Sequence, residues 1–383
     1  MKSYEQIMEH TVKLLEDNEG WIERYKKYYS SIRPDGIKNK YVTAVVKSFR
    51  KEEPLTKYLS IGRVKDSSKF VDIDLRINGH SIASYITELT KDIRKAIDDN
   101  EPDASVRNLI RNNSKLHFKS SGLKKVASSD EIIKNEFDKL AENYGDSTVQ
   151  WKSESATEFR KLIKRIETKS THSEHTVESQ LLKRLASKKA KDKPILSIQP
   201  IIICGAFFQL VTPLKASEVE TKDKIEYSKD AKGRDCAGGG IDILARIKNE
   251  NNVSELCVIE LKDNYTKRER PVVAIKQAIA YATFLDCLIR CEDAKGEEWY
   301  KNIFGIGKGL DETIKINAVV AMPYKDKDNS IPEEDRKLAG KTIMLENGDI
   351  IELHYFFFDK ECLYDEDMRA SCSLKTFNAR RKI

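Results

Sequence analysis

Residues 238–285 read GGGIDILARIKNENNVSELCVIELKDNYTKRERPVVAIKQAIAYATFL. An acid, Asp242, sits inside the apolar run Ile241-Asp-Ile-Leu-Ala, and a second apolar run, Cys257-Val-Ile, leads into Glu260-Leu261-Lys262. Both runs predict strands, joined as a hairpin-like pair. Alternate residues of a strand share a face, so Glu260 and Lys262 point one way and Leu261 the other; Asp242 on the neighbouring strand can face the same side as Glu260. Two carboxylates and one ammonium at the end of a buried sheet need a partner, because burying unpaired charge is costly. A divalent cation can supply it. Mg²⁺ takes oxygen ligands and keeps several waters, and Asp242, Glu260 and the Leu261 carbonyl offer such ligands. The cation activates a water at neutral pH. Lys262 is placed to orient that water, or to stabilise charge developing on a phosphate. No Ser or Cys nucleophile is evident beside these residues, so the pattern suits phosphodiester hydrolysis better than acyl transfer.

The stretch after Lys262 contains Lys267, Arg268 and Arg270, a basic loop next to the expected site. Pro271 suits the first turn of a helix. On that helix Val273, Gln277, Tyr281 and Leu285 follow i+4 spacing, so Gln277 and Tyr281 share a face. Gln277 can hold a phosphate or a water with Tyr281 bracing it; ordinary helix packing gives the same spacing. Upstream, 174–190 (EHTVESQLLKRLASKKA) predicts a helix with Glu178, Leu181, Leu182 and Leu185 on one face, which leaves an acid on an apolar stripe. Residues 194–214 predict the first core strands, and Gly238-Gly239-Gly240 allows a close backbone approach or a bend before Asp242.

These features together resemble the PD-(D/E)XK nuclease superfamily: Asp242, then Glu260-x-Lys262 after an eighteen-residue interval, with Gln277-x-x-x-Tyr281 similar to the Q-x-x-x-Y element of the RecB-like branch. The resemblance covers 176–322, and Ile241 stands where the name-giving Pro would be. It implies an α/β fold with a restriction-endonuclease-like mixed sheet flanked by helices. It implies Mg²⁺ as cofactor, with Mn²⁺ able to substitute, and DNA as partner; nothing in the sequence separates DNA from RNA. It also implies that Glu178, on the helix before the first core strand, faces the metal. The catalytic candidates are then Asp242, Glu260, Lys262, Gln277 and Glu178, with Tyr281, Lys267, Arg268 and Arg270 contacting nucleic acid. The implied setting is an endonuclease of bacterial restriction or phage defence. The rival reading is a nuclease-like fold that holds nucleic acid without cutting it.

At 383 residues, 39% hydrophobic and 34% charged, the chain has room for two soluble domains. No apolar run is expected to span a membrane, and MKSYEQIMEH lacks a signal core, so a cytoplasmic protein without a membrane partner is expected. A net charge of +6 permits a polyanion partner without demanding one. Seven cysteines, an odd number without a CxxC pair, predict buried reduced thiols rather than disulfides or zinc. A homo-oligomer is compatible with all of this.

The N-terminal part predicts a small α+β unit. Residues 3–17 form a helix with Ser3 and Gln6 as a capping box. WIERYKKYY (21–29) places aromatics among basic residues, suited to inward packing or to stacking on bases. YVTAVVKSF (41–49) predicts a strand. Val71, Ile73, Leu75 and Ile77 alternate with Asp72, Asp74 and Arg76, a half-buried strand with its acids on a solvated face. Asn78-Gly79 signals a tight turn and 84–98 a helix. Residues 104–129 contain no acid but hold Arg107, Arg111, Lys115 and Lys119, which either contact phosphates or form a solvated linker face. A polar stretch sets a domain boundary near 150: 1–150 for recognition, sensing or assembly, 151–383 for the nuclease-like site. A strand over 313–322 and a late hairpin about Asn347-Gly348, with 355–358 as its apolar edge, complete the second domain. The tail Arg380-Arg381-Lys382 offers a minor nucleic-acid contact.

Overall fold

A computed structural model of the chain describes residues 2–32, 37–49, 56–60, 69–77, 80–126, 131–165, 174–186, 198–223, 238–249, 251, 253–264, 269–307, 310, 312–324 and 333–358. In chain order the elements are α1 (Tyr4–Glu16), α2 (Gly20–Ile32), α3 (Ile37–Ser48), β1 (Thr56–Ser60), β2 (Phe70–Ile77), β3 (His80–Glu88), α4 (Lys91–Asp98), α5 (Asp103–Asn112), β4 (Ser114–Phe118), α6 (Ser120–Leu123), α7 (Glu131–Tyr144), β5 (Thr148–Gln150), α8 (Glu154–Ile163) and α9 (Glu174–Leu185). There follow β6 (Ile198–Pro200), β7 (Ile202–Ile203), β8 (Ala206–Gln209), β9 (Ile243–Lys248), β10 (Ser254–Leu261), α10 (Pro271–Arg290), α11 (Gly296–Glu298), β11 (Lys315–Pro323), α12 (Glu333–Arg336), β12 (Thr342–Met344) and β13 (Ile350–Phe358). The class is α/β with a mixed sheet, as expected.

The chain divides into two units. One comprises 1–29, 181–201 and 209–383; the other comprises 30–180 and 202–208, so the division falls within α9. The boundary expected near 150 is corrected. Strand β5 pairs with β4, and α8 buries Phe159 edge-on against Phe118, so the chain beyond 150 completes the sheet it was expected to leave. The first helix belongs with the far end of the chain: α1 packs along α10.

The first unit is built on a six-stranded sheet of order β12-β13-β11-β10-β9-β6. Strands β6, β9 and β10 run antiparallel, β10-β11 and β11-β13 parallel, and β12-β13 close as an antiparallel hairpin. The parallel β10-β11 step needs a crossover, and α10 supplies it. Pro271 stands in the first helical turn of α10, as expected. The helix is apolar nearly all round because it is covered on both sides, by the sheet and by α1. Its 20 residues are long and apolar enough to cross a membrane, which corrects the expectation that no run approaches that length; most of the helix is buried in the fold. Strand β13, expected as an edge, is interior between β11 and β12, and Phe356–Phe358 are at most 1% exposed.

The capping box at α1 forms as expected. Gln6 N–H donates to Ser3 Oγ at 3.2 Å and Ser3 N–H donates to Gln6 Oε1 at 2.8 Å. The aromatics of 21–29 turn inward: Trp21 and Tyr25 are buried against Phe284 of α10.

The second unit carries a seven-stranded sheet of order β5-β4-β3-β2-β1-β8-β7. The expected strand over 41–49 is helix α3. Tyr41, Val42, Val45, Val46 and Phe49 are the buried apolar positions, a period of 3.6 rather than two, and this periodicity overrides the strand propensity of three valines. The helix expected over 84–98 begins only at Lys91, where Thr90 Oγ1 caps the Ile93 amide at 3.3 Å. Residues up to Glu88 are strand, with β-branched and aromatic side chains paired against β2 and β4. Asn78-Gly79 lies outside the described residues, between strands whose register places Ile77 opposite His80.

Candidate metal centre

Strands β9 and β10 pair with Ile243 opposite Ile259. Continued by one residue, that antiparallel register sets Asp242 opposite Glu260, and opposite residues share a face. Glu260 is 5% exposed and Lys262 8%, and Lys262 Nζ lies 2.8 Å from Glu260 Oε1. The strand parity expected for Glu260 and Lys262 therefore holds. Lys262 N–H donates to Ala321 O at 2.9 Å, so β10 stays joined to β11 at its end. Leu261 takes part through its amide: its N–H donates to Asp242 Oδ2 at 2.9 Å and fixes the orientation of that carboxylate.

Tyr281 of α10 lies within reach of the charges of these acids. Burial pushes its hydroxyl pKa well up, and the charges of Glu260 and Asp242 push it further; hydrogen bonds with the Ala216 backbone and the Thr212 side chain only partly offset this. The phenol is thus a neutral group at physiological pH. At 6% exposure Tyr281 is a core residue rather than the nucleic-acid contact expected of it. Gln277, one turn earlier, is half-buried.

Asp242, Glu260 and Lys262 carry one net negative charge between them. Carboxylate oxygens are hard donors, the chemistry that Mg²⁺ and Mn²⁺ accept. Helix α9 carries two more acids. Glu178, the expected metal-facing residue, is 5% exposed, beside the buried Val177, Leu181, Leu182 and Leu185. Glu174, half-buried in the first turn, is also an acid able to offer an ion a ligand oxygen. It was not anticipated, although its spacing of four from Glu178 puts both on one helix face.

The expected basic contacts fare unequally. Lys119 is bound to Asp74, which is fully buried and also receives Arg76 Nε at 2.8 Å and the Ser81 hydroxyl. This corrects the solvated face expected for Asp74. Arg111 Nε donates to the Ser48 carbonyl at 3.1 Å, and Arg270 lies 3.8 Å from the buried Asp335. Arg107 on α5 is half-buried and Lys115 on β4 is exposed. Lys267, Arg268 and the 380–382 tail lie outside the described residues. Among the described residues, Cys204, Cys257, Cys287 and Cys291 are free thiols; of these Cys257 is buried as expected, whereas the other three are half-buried, and burial raises the pKa of the Cys257 thiol. No protein-family model, no curated protein and no solved structure matches this chain.

Proposed function

We propose that this protein is a divalent-metal-dependent nuclease, acting on DNA. The observation that carries the reading is the hydrogen bond from Leu261 N–H to Asp242 Oδ2 at 2.9 Å, which holds that acid at the end of β10, where Lys262 lies 2.8 Å from the buried Glu260. The surrounding order supports it. Antiparallel β6, β9 and β10, crossover helix α10 and parallel β11 make a mixed sheet with a helix packed on it, the coarse arrangement that the PD-(D/E)XK resemblance implies.

In this reading Asp242 and Glu260 hold the cation. The cation, when bound, lowers the pKa of a water and neutralises charge on phosphate oxygens. Leu261 N–H keeps Asp242 in place. Lys262 brings positive charge to the point where the attacked phosphate gains negative charge, and burial strengthens that interaction. Tyr281 stays protonated and adds no charge.

The test is cleavage of linear and circular DNA, with RNA alongside, in Mg²⁺, Mn²⁺ or EDTA, comparing wild type with Glu260→Ala and Lys262→Ala. Metal-dependent cutting lost in both variants supports the site, and cutting of the circle makes the enzyme an endonuclease. DNA retained in a shift assay without cutting favours the non-catalytic binding protein. DNA neither cut nor bound removes the proposal.

A further inference from the structure

Gly239 approaches α10 more closely than any other residue type would allow. A Cβ built on it would lie 2.3 Å from Tyr281 Oη and 3.4 Å from Cζ. Its φ lies outside the left-handed range, so an alanine meets no backbone strain there; the phenol oxygen is the obstacle. Gly239 is held from the other side by its own backbone: its N–H donates to Leu214 O at 2.9 Å, and its carbonyl accepts from Thr212 N–H at 2.9 Å. Thr212 is 1% exposed, donates its hydroxyl to Leu214 O at 2.7 Å, and hydrogen-bonds Tyr281. Gly240 bridges Val211, Ile241 N–H reaches Leu210 O at 3.3 Å, and the next residue is Asp242. The segment leading into the acid is therefore clasped between the 210–214 backbone and one hydroxyl of α10.

We infer that Tyr281 is a positioning residue: its hydroxyl, wedged against Gly239 and anchored at Thr212, sets where the 238–241 segment lies and hence where Asp242 stands opposite Glu260. This rests on the metal-site reading above. Residues that orient ligands govern metal affinity without touching the ion, typically by about 10–100-fold. Tyr281 is well placed for this because its ring is buried in α10 and cannot swing away from an intruding methyl.

The wedge is testable because its obstruction is one atom. Mn²⁺ alone is the probe, its bound fraction read by electron paramagnetic resonance, with thermal unfolding of the full chain measured in parallel. Gly239→Ala is expected to weaken Mn²⁺ binding about tenfold and to lower the unfolding temperature. Tyr281→Phe, which removes the oxygen and keeps the ring, is expected to weaken binding several-fold and, through the hydrogen bonds lost at Thr212 and Ala216, to lower the unfolding temperature by less than Gly239→Ala does. The double variant Gly239→Ala/Tyr281→Phe is expected to return to the level of Tyr281→Phe in both measurements. Gly238→Ala is the control. Its Cβ would meet Thr212 O at 1.6 Å at a φ of +121°, so no change at Tyr281 rescues it. Additive damage in the double variant overturns the wedge. Unfolding effects with Mn²⁺ affinity unchanged overturn the positioning role. If wild type binds no Mn²⁺, the metal-site reading has failed, and the unfolding data from the four variants still decide whether the wedge exists.

Discussion

Arg290 grips Asp349 with both prongs of its guanidinium: Nε lies 2.7 Å from Oδ2 and Nη2 2.7 Å from Oδ1. Ile314 N–H adds a third bond to Oδ1 at 2.7 Å. Beside them Asp286 of α10, 2% exposed, accepts Asn347 Nδ2 at 3.0 Å on one oxygen, while its other oxygen receives no N–H or hydroxyl donor. A proton on Asp286, donated to Asp349, completes the cluster. Burial, then hydrogen bonding to Asp349 and its charge, push the Asp286 carboxyl up to about 7. Burial opposes the charge of Asp349, yet hydrogen bonds from Arg290, Asp286 and Ile314 hold its carboxyl below the usual range.

This pair makes stability depend on pH. The folded chain keeps the Asp286 proton to about pH 7, whereas the unfolded chain releases it near 3.8. The stabilisation is therefore complete below about 3.8 and is lost as pH rises from there through 7, on the order of 4 kcal/mol before the opposing downward shift of Asp349 is counted. Asp286→Asn carries its own donor and does not titrate. Its unfolding temperature should be flatter than wild type between pH 5 and 8 in scanning calorimetry. An equally steep wild-type-like slope in Asp286→Asn would remove the shared proton from consideration.

Lys119 and Lys115 should separate cleanly. Lys119 is bound to the fully buried Asp74, so Lys119→Ala removes one of the cations that face this carboxylate and should cost about 1–3 kcal/mol. Asp74→Ala leaves two cations facing each other and should cost about 3–5 kcal/mol. Exposed Lys115→Ala should stay within about 0.5 kcal/mol. Urea midpoints check all three, and a stable Asp74→Ala variant would contradict the buried ion pair.

Divalent cation should stabilise the chain through Asp242 and Glu260. At a concentration about 100-fold above its dissociation constant, Mg²⁺ should add about 2.7 kcal/mol, removable by EDTA. Glu260→Ala should show no Mg²⁺-dependent shift in unfolding temperature. A shift of wild-type size in that variant would place the ion elsewhere.

Local patterns and parities were legible in the sequence; partners distant along the chain were not. Asp242, Glu260 and Lys262 could be read because strand parity depends only on counting from one residue to the next. The capping box of Ser3 and Gln6 and the turn of β12 into β13 are equally local. Helix α3 was misread because Val42, Val45 and Val46 favour strands individually, while the decisive signal is their spacing. Asp74 looked solvated because its neighbours alternate, and only the fold brings Lys119, forty-five residues away, to its carboxylate. Gly239 showed as a glycine run, but its obstacle, Tyr281, lies on a helix that the sequence cannot place against it. Glu178 and Glu174 share a helix face, so periodicity alone could not choose between them.

The division of the first unit into three stretches of chain has a consequence for its synthesis. Helix α1 is translated about 250 residues before α10, the helix it packs along. At ribosomal speeds of about 5–20 residues per second, Ile7, Met8, Leu14 and Leu15 wait roughly 13–50 s for their partner. All of the intervening unit, which ends at 208, is translated by then and can fold first. Until α10 emerges the nascent chain thus carries a sticky amphipathic helix without its partner, a natural client for a holding chaperone.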